Sequence, residues 1–462
     1  MIYKHIFAQQ ALLATGWRQN VLIEWDENGV IRRVTADVSS PAVGETAGCL
    51  LPGMPNLHSH AFQRGFAGLT EYRHGRQDSF WSWRNLMYAF AARIAPEQME
   101  AIATWLYAEM LAAGYTSVCE FHYVHHQPDG APYADPALMC RSLLNAARNT
   151  GIGLTLLPVC YQNGGFGGQP AAALQQRFIQ TTAQMLALWE MLLPLCQRQD
   201  ARLGIAPHSL RAVDPGNLAA LVAGVRSMDA AAPIHIHIAE QVKEVEDCVA
   251  WSGQRPVAWL LEHAPVDARW CLIHATHMNE HEYRMAAATG AVVGLCPTTE
   301  GNLGDGIFDY PLWRGHQGRW GIGSDSNSVV SAAEELQTLE YSQRFHLRQR
   351  NIGASDAFPE VATALYLDAV SGGAQASGRD VAGIAVGQRA DMVELDCRHH
   401  AVAGLPVEKA LSGHIFGSSR TSAIRRVWTG GTLRVDGARH LLRDQALAGF
   451  IDMRKQLFKA GA

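Results

Sequence analysis

Eight short apolar runs punctuate the middle of this chain, and the stretches between them carry helical periodicity. The runs are Leu51–His58, Thr116–Phe121, Gly153–Val159, Arg202–Pro207, Ile234–Ile238, Trp270–His274, Ala291–Leu295 and Trp320–Asp325. Pro96–Ala113 is representative of the amphipathic stretches between them. Continuous apolar runs are how strands buried on both faces read, and their alternation with helices makes neighbouring strands parallel. Eight such units predict an α/β chain folded as a (β/α)8 TIM-type barrel. A barrel of this kind takes roughly 250 residues, so a chain of 462 has room for a second domain. Both ends supply strand signals. Val21–Trp25 and Val30–Val34 flank Asp26-Glu27-Asn28-Gly29, Ala385–Leu395 reads as a turn into a strand, and Val427–Val435 carries a Gly430-Gly431 turn. The expected organisation is a small β-sandwich-like domain, residues 1–50 plus 383–462, around a catalytic barrel spanning 51–382. No internal repeat is visible. The glycine-rich Asn163–Gly168 lacks the lysine and helix context of a phosphate loop and is expected to be a mobile loop.

The polar residues with chemical potential stand at the C-terminal ends of the runs, where barrel enzymes build their sites. His58 and His60 are two apart, so an extended strand points both to one face. His237 lies near the end of the fifth run and Glu240 two residues beyond it, His274 ends the sixth, and Asp325 ends the eighth. Neutral imidazoles converging with a carboxylate suit zinc or iron. The bland alternative, a closed structural zinc site, usually draws on cysteine, and no cysteine accompanies these histidines. His235 shares the face of His237 but sits deeper by about 6.6 Å at roughly 3.3 Å per residue, so it is assigned to packing. His277 is read as a loop residue. His74, His399, His400 and His440 lie in polar stretches and are expected at the surface.

A net charge of −5 gives no electrostatic reason to bind nucleic acid or anionic membrane. Nine cysteines are an odd number without a Cys-x-x-Cys, and Cys119, Cys160, Cys271 and Cys296 lie in apolar runs. No disulfide framework is therefore expected, and a reducing cytoplasm is. The N-terminus lacks the pattern of a signal peptide, and no window reaches the length of a membrane span.

With these residues in place, the chain resembles the one-metal deaminase branch of the amidohydrolase superfamily. The resemblance implies one divalent metal per chain, zinc or alternatively iron, held by His58, His60, His237 and Asp325. It makes Glu240 and His274, beside Asp325, the catalytic proton-transfer residues. The run ending at Pro207 has no lysine that could be carbamylated to bridge a second metal, although Glu120 leaves that question open. Such a metal lowers the pKa of bound water toward neutrality. Attack on a C=N carbon must then expel nitrogen as ammonia, which needs a carboxyl to protonate it, and Glu240 stands where that acid belongs.

Longer blocks narrow the resemblance. Met54–Arg64, Asp78–Arg84, Glu120–His126, His208–Arg211 and Asn302–Phe308 are similar to the group of that superfamily acting on N-formimidoyl-L-glutamate in histidine degradation. The implied reaction yields N-formyl-L-glutamate and ammonia. A small dicarboxylate substrate suits Arg84 and Arg211, two guanidiniums expected in loops at the barrel top and fitted for bidentate pairing. Gln63, Tyr123 and His208 would add hydrogen bonds. A homodimer is expected. The alternative is a deaminase of an aminated heterocycle, of the guanine or adenosine type, whose pocket should stack aromatics rather than present two arginines. One departure stands out: Asn327-Ser328 follows Asp325 where the family is expected to carry a histidine, which brings the pocket wall beside Asp325 into question.

Overall fold

The computed structural model describes residues 3–39, 44–72 and 80–459. His74, Asp78 and Ser79 lie outside the described residues. Eight parallel strands form the central barrel. The first four are Met54–Ser59, Tyr115–His122, Gly153–Cys160 and the interrupted pair Arg202–Leu203 and Ala206–Pro207. The last four are Ile234–Ile238, Trp270–His274, Val292–Leu295 and Arg319–Ile322. Parallel bridges Ser59–Asp325 and Ile205–Ile234 join the two halves and close the ring. Each predicted run overlaps one strand. The first begins later than expected, because Leu51 and Pro52 end a preceding strand of the small sheet, Glu45–Pro52.

Strands one to three and five to seven are buried along their whole length, which is why they read as unbroken apolar runs. Leu57, Cys271, Ile273, Val292, Cys296 and Ala376 fill part of the barrel interior, so it is packed rather than open. The helix Val361–Ser377 packs against strands one and eight. It can do so because Gly372 has no side chain to run into the Trp320 carbonyl. Ala376 of the same helix accepts from His235 Nε2 at 2.8 Å, so His235 is a buried packing residue.

The termini build one eight-stranded sheet. Lys4–Leu13 pairs parallel with Glu45–Pro52, which pairs antiparallel with Met392–Leu395 from the far end of the chain. Its core gathers Ile6, Val21, Ile23, Trp25, Leu50, Met392 and Trp428. The two expected hairpins are present, the second turning through Gly430 and Gly431 at φ +52° and +68°, a backbone that favours glycine. The C-terminal stretch is not all sheet. Arg443–Lys459 is a helix packed on the barrel helix Pro96–Ala112, with Phe450 stacked on Trp105 at 5.9 Å.

One surface expectation fails: His440 is buried, and its Nε2–H donates to the Thr150 carbonyl at 3.0 Å. Within the glycine-rich stretch, Phe166 is buried and stacks on Trp251 at 5.4 Å. No cysteine is paired; eight are buried and Cys397 is exposed. No helix among the described residues is long and apolar enough to cross a membrane.

Candidate active site

Three imidazoles and a carboxylate meet at the C-terminal mouth of the barrel. His58 lies on strand one and His60 just past it, His237 lies on strand five, and Asp325 follows strand eight. His58 Nε2 is 3.0 Å from His237 Nε2. Asp325 Oδ1 is 3.2 Å from His58 Nε2 and 3.3 Å from His60 Nε2. The rings are oriented from behind: His60 Nδ1 donates to the Phe121 carbonyl at 2.9 Å, and His237 Nδ1 to the His208 carbonyl at 3.2 Å. A carbonyl only accepts, so these bonds keep the proton on Nδ1 and turn the Nε2 lone pair inward.

Burial pushes His58 down to about 3 and His237 well below its ordinary range, so both rings are neutral, the ligating form. Burial would raise the Asp325 carboxyl, but the crowd of imidazoles around it, His58, His60 and His274, holds it well below the usual range. Donor atoms of His58, His237, His274 and Asp325 lie within 4.8 Å of one another, and His60 joins them through Asp325. A cluster of imidazoles and one carboxylate fits a transition ion such as zinc or iron(II). His274, read from the sequence as a proton-transfer residue only, thus stands inside the same cluster.

Around His274 the carboxylates crowd. Its Nε2 is 3.7 Å from both Glu240 Oε1 and Asp325 Oδ2, and its Nδ1 is 3.2 Å from Glu300 Oε1. Burial alone would lower this imidazole, while the surrounding carboxylates Glu240, Glu300 and Asp325 act the other way and make it a stronger proton acceptor. Glu240, two residues past strand five, is pushed up to about 7 by burial against the pull of His274. Asp305 also approaches Glu240 and His274, and Gln241 donates to it.

Glu120 takes part differently. Its Oε1 accepts the Ala61 N–H at 2.5 Å and its Oε2 the Tyr107 hydroxyl at 3.2 Å, and it joins none of the candidate metal clusters among the described residues. Asn327 is fully buried and lines no part of the pocket. Its Nδ2 faces Ser59 Oγ, the His60 carbonyl and the Asp325 carbonyl at 3.2, 3.1 and 3.0 Å, and its Oδ1 accepts from Ser324 Oγ at 2.6 Å. It is therefore a clamp across the seam between strands one and eight, not the pocket wall that the sequence brought into question.

The pocket is lined by Gln63, Arg84, Tyr123, His208 and Arg211 together with His60, His237, Glu240, His274 and Asp325. Gln63 Nε2 donates to the Tyr123 hydroxyl at 3.2 Å, and the half-buried His208 is held well below its ordinary range by desolvation and by the charge of Arg211. Arg211 lies in a turn, as expected. Arg84 does not lie in a loop: it sits on the helix Phe80–Ala91. Its guanidinium lies 4.5 Å from the Trp81 ring centre, and that of Arg211 lies 5.7 Å from the same ring. The Nε of each arginine is buried without a hydrogen-bond partner among the described residues, and against burial the charges of Glu244 and Glu240 raise Arg211. The remaining wall, Phe80, Trp83, Met87, Tyr88, Tyr161 and Leu303, was missed in the sequence. Phe80, Arg84, Met87 and Tyr88 follow the i, i+4, i+7, i+8 spacing of one helix face, and Tyr161 immediately follows strand three, so both signals were present.

Comparison with known proteins supplies a second line. Residues 49–434 match the model of the amidohydrolase family, and residues 3–47 match that of the formimidoylglutamate deiminase HutF N-terminal domain. The formimidoylglutamate deiminase of Pseudomonas aeruginosa is 47% identical over 98% of this chain and 99% of its own length. A crystal structure of an amidohydrolase from Brucella melitensis superposes with a TM-score of 0.93 at 46% identity, covering 98% of this chain and 100% of that one. An adenosine deaminase from Xanthomonas campestris with bound zinc shares the fold, with a TM-score of 0.78 at 20% identity over 98% of both chains.

Proposed function

We propose that this chain, which belongs to the amidohydrolase family, hydrolyses N-formimidoyl-L-glutamate to N-formyl-L-glutamate and ammonia in histidine degradation. The observation that carries the reading is the pair of guanidiniums, Arg84 and Arg211, on the wall of a pocket that also holds the histidine–aspartate cluster. A guanidinium whose Nε is buried without a partner among the described residues is costly in a partly dry pocket unless an anion completes it, and this substrate brings two carboxylates. Gln63, Tyr123 and His208 add hydrogen bonds that direct the formimidoyl group toward Glu240.

His58, His60, His237 and Asp325 would hold one divalent metal per chain, zinc or iron, which supplies Lewis-acid polarisation and lowers the pKa of water. His274 and Asp325 face the attacking water and take its proton as the oxygen bonds to the formimidoyl carbon. Glu240, its carboxyl raised to about 7, then delivers a proton to the terminal nitrogen, which leaves as ammonia while the hydroxyl of the intermediate gives its remaining proton to Asp325 and the C=O forms. Residues 51–382 carry this chemistry, with 1–50 and 383–462 as the small domain. Unpaired cysteines throughout support a reducing, cytoplasmic setting, and we expect a homodimer.

The test is turnover in ¹⁸O-labelled water with product analysis by mass spectrometry. One label in the formyl oxygen and one ammonia per turnover are expected. Release of glutamate and formamide instead would mean that the proton goes to the other nitrogen, and the assignment of Glu240 would fall with it.

A further inference from the structure

We propose that Glu300 is a positioning residue for His274, serving the proton transfer of the deiminase reading above. Glu300 lies on the short helix Pro297–Leu303 that follows strand seven, and it is buried at 5% exposure. Its Oε1 accepts from the Cys296 N–H at 2.9 Å and faces His274 Nδ1 at 3.2 Å. The carboxylate is thus pinned to the end of strand seven and cannot follow the ring if the ring turns. An ionised carboxylate only accepts, so Nδ1 must carry the hydrogen.

The other ring nitrogen is left open. Nε2 stands 3.7 Å from both Glu240 and Asp325, beyond hydrogen-bond distance and on the pocket side. His274 itself is held at φ +67°, with Ala275 at +50°, a left-handed backbone that non-glycine residues keep only where the surroundings enforce it. Backbone and carboxylate together fix the ring with one nitrogen bound and one free. When Nε2 takes a proton from the attacking water, Glu300 stabilises the imidazolium that forms. An acid behind a proton-accepting imidazole works in this way, without itself being protonated.

A purely structural role, capping Cys296, makes different demands. Glu300→Gln keeps an oxygen for both donors and removes only the charge. Its kcat should fall at least tenfold, with KM within about threefold and with metal content and melting temperature unchanged. Glu300→Ala removes the acceptor as well and should fall further. ¹⁵N spectra of histidine-labelled protein, with the His274 signals identified by their loss in His274→Asn, should show a protonated Nδ1 in wild type and mixed tautomers in Glu300→Ala. Wild-type kcat in Glu300→Gln, or a His274 ring that keeps its Nδ1 proton and tautomer in Glu300→Ala, would overturn the proposal. A wild type inert toward formimidoylglutamate but with a pinned Nδ1–H would remove the reaction assigned here and leave the hold of Glu300 on His274 standing.

Discussion

Removing the Asn327 side chain should loosen the seam that brings His60 and Asp325 together. The carboxamide offers two hydrogens to three acceptors, Ser59 Oγ and the carbonyls of His60 and Asp325, and it accepts one bond from Ser324 Oγ. That amounts to three hydrogen bonds, each worth about 1 kcal/mol net. The serine hydroxyls can turn to other partners, whereas the two carbonyls stay buried and lose a donor. The expected loss is therefore about 2–4 kcal/mol. Asn327 also sits at φ +55°, where an alanine adds roughly 1 kcal/mol of strain and a glycine adds none. Comparing Asn327→Ala with Asn327→Gly separates the two effects. Chemical denaturation should rank wild type above the Gly variant and the Gly variant above Ala. Chelator competition should show metal affinity weakened about 10–100-fold in both, as for other residues that orient ligands from behind. A Gly variant within 0.5 kcal/mol of wild type, a margin ordinary for a surface change, and with undiminished metal affinity, would refute the seam.

Other expectations follow from the same geometry. Glu240→Gln should keep its metal, by elemental analysis, while ammonia release falls by roughly 10²–10⁴-fold; a drop of only a few-fold would assign the proton to another group. Arg84→Ala and Arg211→Ala should each cost on the order of 2–5 kcal/mol, a fall of at least tenfold in kcat/KM with metal content unchanged. N-formimidoylglycine, which lacks the side-chain carboxylate, should be a poor substrate that loses less from whichever arginine holds that group. Equal losses on both substrates would mark that arginine as structural. Glu120→Gln should leave the metal in place, because Glu120 serves Ala61 and Tyr107. Burial raises the Glu120 carboxyl from 4.5 to about 7, so the folded state holds its proton more tightly than the unfolded chain. Stability from this group is present below about pH 4.5 and is lost as pH rises through 7. The glutamine variant should accordingly gain on wild type in thermal melts between pH 5 and 8, and a gain that shrinks over that range would contradict the assignment.

The barrel is legible because strands buried on both faces leave continuous apolar runs, and four of those runs end at or beside the residues that their strands carry to the mouth. His58, His60, His237 and Asp325 came together on that basis. Arg84 was misplaced in a loop although its neighbours Phe80, Met87 and Tyr88 are spaced as one face of a helix. Glu300 and Asp305 escaped notice because they reach the site from the segment after strand seven, not from a strand end. The inward turn of Asn327 depends on a left-handed backbone that no composition rule reveals. His440 was judged by its polar sequence neighbours, whereas its burial is set by Thr150, 290 residues away. The stack of Phe166 on Trp251 is likewise a tertiary contact, invisible in a run of glycines.

The most direct measurement is the initial rate of ammonia release by the metal-loaded enzyme across a panel of N-formimidoyl-L-glutamate, N-formimidoylglycine, guanine and adenosine. A pocket built around Arg84 and Arg211 predicts the highest kcat/KM for N-formimidoyl-L-glutamate, with the purines turned over slowly or not at all. Faster release from guanine or adenosine than from N-formimidoyl-L-glutamate would contradict the deiminase function and leave only the barrel and its histidine–aspartate cluster standing.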